Sequence, residues 1–171
     1  MKEAPQALFN DAEVLAVDRH LVEQIKHRAR ESPTLRYRLC MHHSTEDAVQ
    51  EMLVVHCRGN YSRPHRHPPG MTSVRLVLEG ASTIYVFDED GTVRDAIELE
   101  AYGRGKPFAI HLHSAVWYMP FCRSDQVVCF EAIAGPFDPV TANEWAPWSP
   151  AEDDSAGIAL FLERLSLARP S

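Results

Sequence analysis

Nine histidines are spread over 171 residues, and two pairs of them stand two apart: His65 with His67, and His111 with His113. On a β-strand, residues at this spacing project from one face about 6.6 to 7 Å apart along the chain, near enough for two imidazoles to reach one ion. Imidazole suits zinc, copper, iron and nickel, and a carboxylate added to two histidines with positions left open is the arrangement of iron(II) chemistry. Either use needs a third ligand. Chance supplies roughly half a pair at this spacing in so histidine-rich a chain, so spacing alone leaves open an exposed or hydrogen-bonded pair at a strand edge. His111 and His113 have no further ligand nearby. His20, His27, His42, His43 and His56 read as surface or structural, with His56, in the run MLVVHC, a satisfied core residue.

The elements that would carry these residues are β-strands. Runs such as MLVVHC, VRLVLEG, STIYVFD, PFAIHLH and QVVCFEAIA are rich in β-branched and aromatic residues and are separated by turn residues. Six to eight strands at this spacing predict an all-β sandwich or barrel. A helix is expected from Asn10 to Arg30, with Val14, Val17, Leu21, Val22 and Ile25 at helical spacing, Asn10 and Glu13 as a capping box, and Ser32 and Pro33 as its stop. A second is expected near the C-terminus, with Ser149 as cap, Pro150 in the first turn, and an apolar face of Ile158, Phe161, Leu162 and Leu165. The organisation read from this is an N-terminal helical segment (1–34), a β-barrel (35–148) and a C-terminal helix (149–171).

Composition bounds the partners. With 24 Asp and Glu against 17 Lys and Arg, and a net charge of −7, the chain lacks the basic stripe that binding a nucleic acid requires. No apolar stretch approaches the roughly 18 to 20 residues that span a bilayer, and the first residues lack a secretory pattern, so the expected compartment is the cytoplasm. Cys40, Cys57, Cys122 and Cys129 show no CxxC spacing and are expected as reduced thiols, with Cys122 and Cys129 able to face each other across a hairpin.

Gly59, five residues, His65, Arg66, His67 and a strand running to Gly80 resemble the first cupin motif: G(X)5HXH, a Glu ligand, six residues and a closing Gly. The Glu position is Ser73 here. The second cupin motif, PxGxxH, resembles His113 to Tyr118, with Tyr118 at the position of the third histidine. A closer resemblance is to the WbuC-type family of cupin-fold metalloproteins, described from surface-polysaccharide gene clusters. It runs from about Leu21 to Glu152: Ser32 to Arg36 resembles SPxLR, Asp47 to Leu53 resembles DPVQRML, Arg63 to Pro68 is RPHRHP, and Gly135 to Pro150 resembles GPYDPxTxxEFAPWAP.

The resemblance implies a single jelly-roll-like cupin β-barrel with flanking helices, a homodimer, and a divalent metal (zinc, nickel or iron) on His65 and His67, with Tyr118 as the remaining ligand. Because Ser73 and Tyr118 replace a carboxylate and a histidine, that metal is expected to be bound weakly or to have been lost. Tyr118 would ligate only after losing a proton whose ordinary pKa is near 10. His113 is the reserve ligand if the strand register differs. Around the pair, Arg63 and Arg66 could attract an anionic group, Ser73 and His113 could contact a ligand, and Trp117, Phe121 and Tyr61 could wall a sugar-binding cleft. Three functions remain open: a weak metal-binding cupin acting on or sensing a small carbohydrate-like molecule, a metal-free small-molecule binding protein, and a metal-free isomerase or epimerase working through a His and Tyr acid/base pair.

Overall fold

A computed structural model describes residues 1–167. The elements run β1 (Lys2–Ala4), β2 (Ala7–Phe9), α1 (Arg19–Glu31), β3 (Arg36–Cys40), β4 (Val49–Cys57), β5 (His65–Arg66), β6 (Ser73–Glu79), β7 (Ala81–Phe87), β8 (Val93–Glu100), β9 (Ala109–Leu112), β10 (Trp117–Cys122), β11 (Gln126–Ala134), β12 (Glu144–Trp145) and α2 (Ser155–Leu167). The strands form two facing sheets, one ordered β1-β2-β3-β4-β11-β6-β9 and the other β12-β5-β10-β7-β8. Pairing is antiparallel except between β2 and β3. Eight strands have four or more residues, at the upper end of the six to eight expected from the turn spacing; the other four have two or three, too short to show an alternating pattern.

β4 explains why the central runs are almost continuously apolar. Its Leu53, Val55 and Cys57 pack outward with Leu21, Ile25 and Ala29 of α1 in one core cluster, while Gln50, Met52, Val54 and His56 turn inward to a cavity between the sheets. Both faces are covered, so hydrophobicity does not separate them. Beside the cavity, Val77, Ile84, Leu99, Val127 and Cys129 fill the space between the sheets. The outer face of β7 and β10 is covered by α2, whose Phe161 and Leu165 pack on Tyr85, Phe87, Trp117 and Met119.

Both helices begin later than expected. Asp18, not Asn10, caps α1: its carboxylate accepts the Leu21 N–H at 2.9 Å. Asn10 is used differently, its amide bridging the Ala12 and Met41 carbonyls beside β2, and Val14 is left exposed. At the other end Asp154 caps α2 by accepting from Gly157 at 2.9 Å, whereas the Ser149 hydroxyl closes a turn onto the Ala146 carbonyl. An Asp satisfies helix N–H groups as well as Ser or Asn does, so several candidate caps competed. All four cysteines are buried free thiols.

Candidate functional site

The inward-facing residues of β3, β4, β5, β6, β10 and β11 line one cavity of about 400 Å³. His65 and Tyr118 are directly opposed where β5 pairs with β10. The Nε2 atoms of His65 and His67 lie 3.1 and 3.0 Å from the Tyr118 hydroxyl. Their other ring nitrogens are committed: Nδ1 of His65 meets the Arg63 carbonyl at 2.8 Å, and Nδ1 of His67 meets the Ala142 carbonyl at 2.9 Å. A carbonyl only accepts, so each Nδ1 carries a hydrogen, and a ring with no second proton turns a bare Nε2 toward the phenol.

One phenolic proton therefore stands between two acceptors. It can bond to one Nε2, and the other then faces an oxygen lone pair. Burial pushes His65 down to about 4, which keeps that ring neutral at neutral pH. Burial, followed by the Glu131 carboxylate, raises Tyr118 well above its ordinary value, so the phenol keeps its proton. His67 and Tyr118 are buried, and His65 is only partly so. All three line the cavity, and His65 is the most exposed of them.

The histidine pair is held by the segment after β11. β12 pairs with β5, setting Glu144 against Arg66 and Trp145 against His65. Arg66 donates to both Glu144 carboxylate oxygens at 2.8 Å and lies over the Trp117 ring, so it is not free to attract a ligand. Arg63 donates to the Ser149 hydroxyl and the Ala146 carbonyl and still borders the cavity. The RPHRHP stretch and the GPFDPVTANEWAPWSP stretch are thus two halves of one contact.

Several cavity groups carry no cupin motif. Arg75 and Glu131 form a buried ion pair at 2.8 Å. Burial pushes the Glu131 carboxyl up, but the adjoining guanidinium outweighs this and holds it below its ordinary value. Arg36 and Arg38 enter from β3. His56, which lines the cavity, is not the satisfied core residue expected: Nδ1 meets Asn60 Oδ1 at 2.7 Å, while the buried Nε2 has no partner among the described residues. The signal was present in the sequence. Arg36-Tyr37-Arg38 has the same period-two spacing as His65-Arg66-His67, and Ser73 and Arg75 alternate with Val74, Leu76 and Leu78, a strand with its polar face inward.

Of the expected ligand-contacting residues, Arg63 borders the cavity. Ser73 is buried next to Tyr118, and its hydroxyl lacks a hydrogen bond of normal geometry. Two others lie elsewhere. His113 is exposed, its ring 4.6 Å from that of His111, because β9 turns Leu112 inward instead. Trp117 points away from Tyr118, since successive strand residues alternate, and donates its indole N–H to Glu89 at 3.0 Å. Tyr61 and Phe121 pack with Trp117 in the core beneath α2, so they do not wall a cleft. Trp145, half-exposed beside His65, does border the cavity, as do Phe9 and Phe137.

As a resident metal centre the set falls short. The paired Nε2 atoms, each backed by an Nδ1–H to a carbonyl, have the orientation of metal ligands. The charge is missing: no carboxylate joins the two imidazoles and the phenol, and the Glu131 carboxylate, which acts on both His65 and Tyr118, is paired with the Arg75 cation. Among the described residues no three His, Cys, Asp or Glu side chains come together as a metal site.

A family model described as a domain of unknown function (DUF6016) matches residues 17–99. No curated protein matches the chain. Among solved structures, a structural-genomics target from Shewanella oneidensis is similar with a TM-score of 0.53 and 12% identity, over 79% of this chain and 87% of that one. A conserved protein of unknown function from Streptococcus pyogenes is similar with a TM-score of 0.50 and 8% identity, over 75% and 95%. An oxalate oxidase in complex with glycolate is similar with a TM-score of 0.46 and 13% identity, over 71% of this chain, which spans 58% of that protein. At such identities the likeness concerns the fold alone. The chain has a cupin-type jelly-roll fold.

Proposed function

We propose that this chain is a cupin-fold small-molecule protein whose cavity holds a polar, hydroxyl-bearing ligand of carbohydrate-like size, and whose His65, Tyr118 and His67 exchange a proton with it. The observation behind this is the single phenolic proton between two bare imidazole nitrogens. In the resting arrangement Tyr118 donates to His67, and His65 Nε2 is left as a base at the cavity. A ligand proton taken by His65 creates an N–H that donates to the phenol oxygen, making the hydrogen bond the empty site lacks. Tyr118 then gives its own proton to the ligand, and His65 returns the captured proton to the phenolate. The cycle closes with one proton exchanged on the ligand and nothing else consumed. Positioned acid/base groups of this kind contribute about 10²- to 10⁴-fold in rate. A proton moved in this way is the chemistry of an isomerase or epimerase.

A second reading is favoured by the Nδ1–H bonds to carbonyls: a divalent metal held weakly by His65 and His67, with Tyr118 as third donor, supplying Lewis acidity when bound. The surface-polysaccharide setting, the cytoplasmic location and pairing into a homodimer belong to the proposal through the WbuC-type resemblance of RPHRHP and GPFDPVTANEWAPWSP. The test is a thermal-shift screen of sugars, sugar acids and sugar phosphates, followed by incubation of each binder in heavy water. Deuterium uptake into the ligand that is lost in Tyr118→Phe supports the proposal. Uptake unchanged in that variant overturns it, and uptake that disappears with a chelator and returns with zinc moves the assignment to the metal reading.

A further inference from the structure

Arg75 lines the cavity and is 5% exposed. Its Nη2 donates to Glu131, while Nε and Nη1 have no acceptor among the described residues. A guanidinium carries five N–H donors in a rigid fork, and the three on Nε and Nη1 are unused. A buried donor left without a partner is costly, and more so when it belongs to a charged group.

The surroundings have the same sign. The cavity gathers Arg36, Arg38, Arg63 and Arg75 against Glu131 and Glu152, and the one ion pair among these six is that of Arg75 with Glu131. Burial, and then the repulsion of Arg38, push Arg36 below its ordinary value. This cavity is locally positive in a chain whose net charge is −7. Arginines needed only to neutralise the protein's own acids would sit at ion-pair distance from them.

Taking the cavity as a small-molecule site, which is the reading above, we infer that its ligand carries an oxyanion, a carboxylate or a phosphate, seated on Arg75 and flanked by Arg36 and Arg38. Its hydroxyl-bearing part then extends toward Tyr118 and His65. The two features suit each other chemically: a carboxylate neutralised by a guanidinium makes the adjoining C–H easier to deprotonate, because charge developing on the carboxylate oxygens is already met by donors. Ligands of this kind are sugar acids, hydroxy acids and sugar phosphates. His56 also lines the cavity, and its Nε2 has no partner among the described residues.

Calorimetric titration of the whole protein with gluconate and with sorbitol, which differ at one carbon by a carboxylate, decides the matter, with glucose 6-phosphate as the phosphate arm. At least one of the two anions is expected to bind about tenfold or more tighter than sorbitol, the equivalent of about 1.4 kcal/mol, and to weaken as salt is raised. Stronger binding of gluconate or of glucose 6-phosphate tells which oxyanion is preferred. Arg75→Met alone leaves Glu131 unpaired and endangers folding, so it is combined with Glu131→Leu, since apolar replacement of a whole buried pair is often tolerated; Arg38→Gln tests the flank without touching the pair. Loss of the anion preference in the double variant, and a drop of several-fold in Arg38→Gln, support the inference. Equal binding of sorbitol and both anions, no binding of any of the three, or an anion preference unchanged in both variants overturns it. Tyr118→Phe is expected to retain anion binding while losing deuterium exchange, so the oxyanion site and the proton-exchange reading fail separately.

Discussion

Among the residues of the cavity, Tyr118 has the most to lose by a small change. Tyr118→Phe removes the one proton that bonds an Nε2 and leaves both His65 and His67 without a donor. The expected cost is about 1 kcal/mol, or about 2–4 °C in Tm for a chain of this size, measured by calorimetry at pH 7. His56 makes a separate prediction. Burial holds it down to about 3 in the folded protein, against about 6.5 when unfolded. Between those values the unfolded chain takes up a proton that the folded chain refuses, so its contribution is complete above about pH 6.5 and is lost as pH falls toward 3. The slope from this one group approaches about 1.4 kcal/mol per pH unit. Urea titrations between pH 7 and 4 should show that slope reduced in His56→Asn, and an unchanged slope would assign the acid sensitivity to other groups.

Among the elements, β4 with α1 and β5 with β12 do different work. β4 is packed on both faces, and Ile25 of α1, fully buried, sits in the cluster on its outer side. Ile25→Ala should cost about 2–5 kcal/mol and leave ligand binding in surviving folded protein unchanged, as read from denaturant melts and titration. The β5 and β12 pair is a positioning device. Its Arg66 to Glu144 bridge lies at the surface and should contribute little to stability, so Glu144→Ala should alter exchange activity more than stability. The strands themselves were legible from their β-rich runs and turns. Which face each strand turns inward was not, because α1 and α2 cover the outer faces and leave apolar residues on both sides. That ambiguity is why Trp117 and His113, neighbours of the inward Tyr118 and Leu112, read as cavity residues when they point elsewhere. The period-two spacing of Arg36, Arg38 and Arg75 is visible in the sequence, but which face of β3 and β6 turns inward appears only once their register with neighbouring strands is known. Tyr118 itself came from a motif resemblance; no spacing rule singles out a tyrosine.

At the scale of the whole molecule, acids predominate overall while arginines gather in one cavity. No helix among the described residues is long and apolar enough to cross a membrane. Pairing into a homodimer, carried here as part of the proposal, predicts a light-scattering mass about twice the 19.3 kDa of one chain; a mass of one chain across the micromolar range would remove it. The fold, the helices and the segment after β11 all converge on holding two imidazoles with their Nδ1–H groups on carbonyls and their Nε2 atoms on one phenol. Long-range proton–nitrogen NMR correlation of the histidine side chains, on metal-free protein at pH 7, reads this arrangement directly. The account predicts that His65 and His67 both carry hydrogen on Nδ1 and that the His65 Nε2 is bare. A His65 ring protonated at Nε2 would contradict it, because that nitrogen would then be a donor to Tyr118 and could not accept a proton from a ligand.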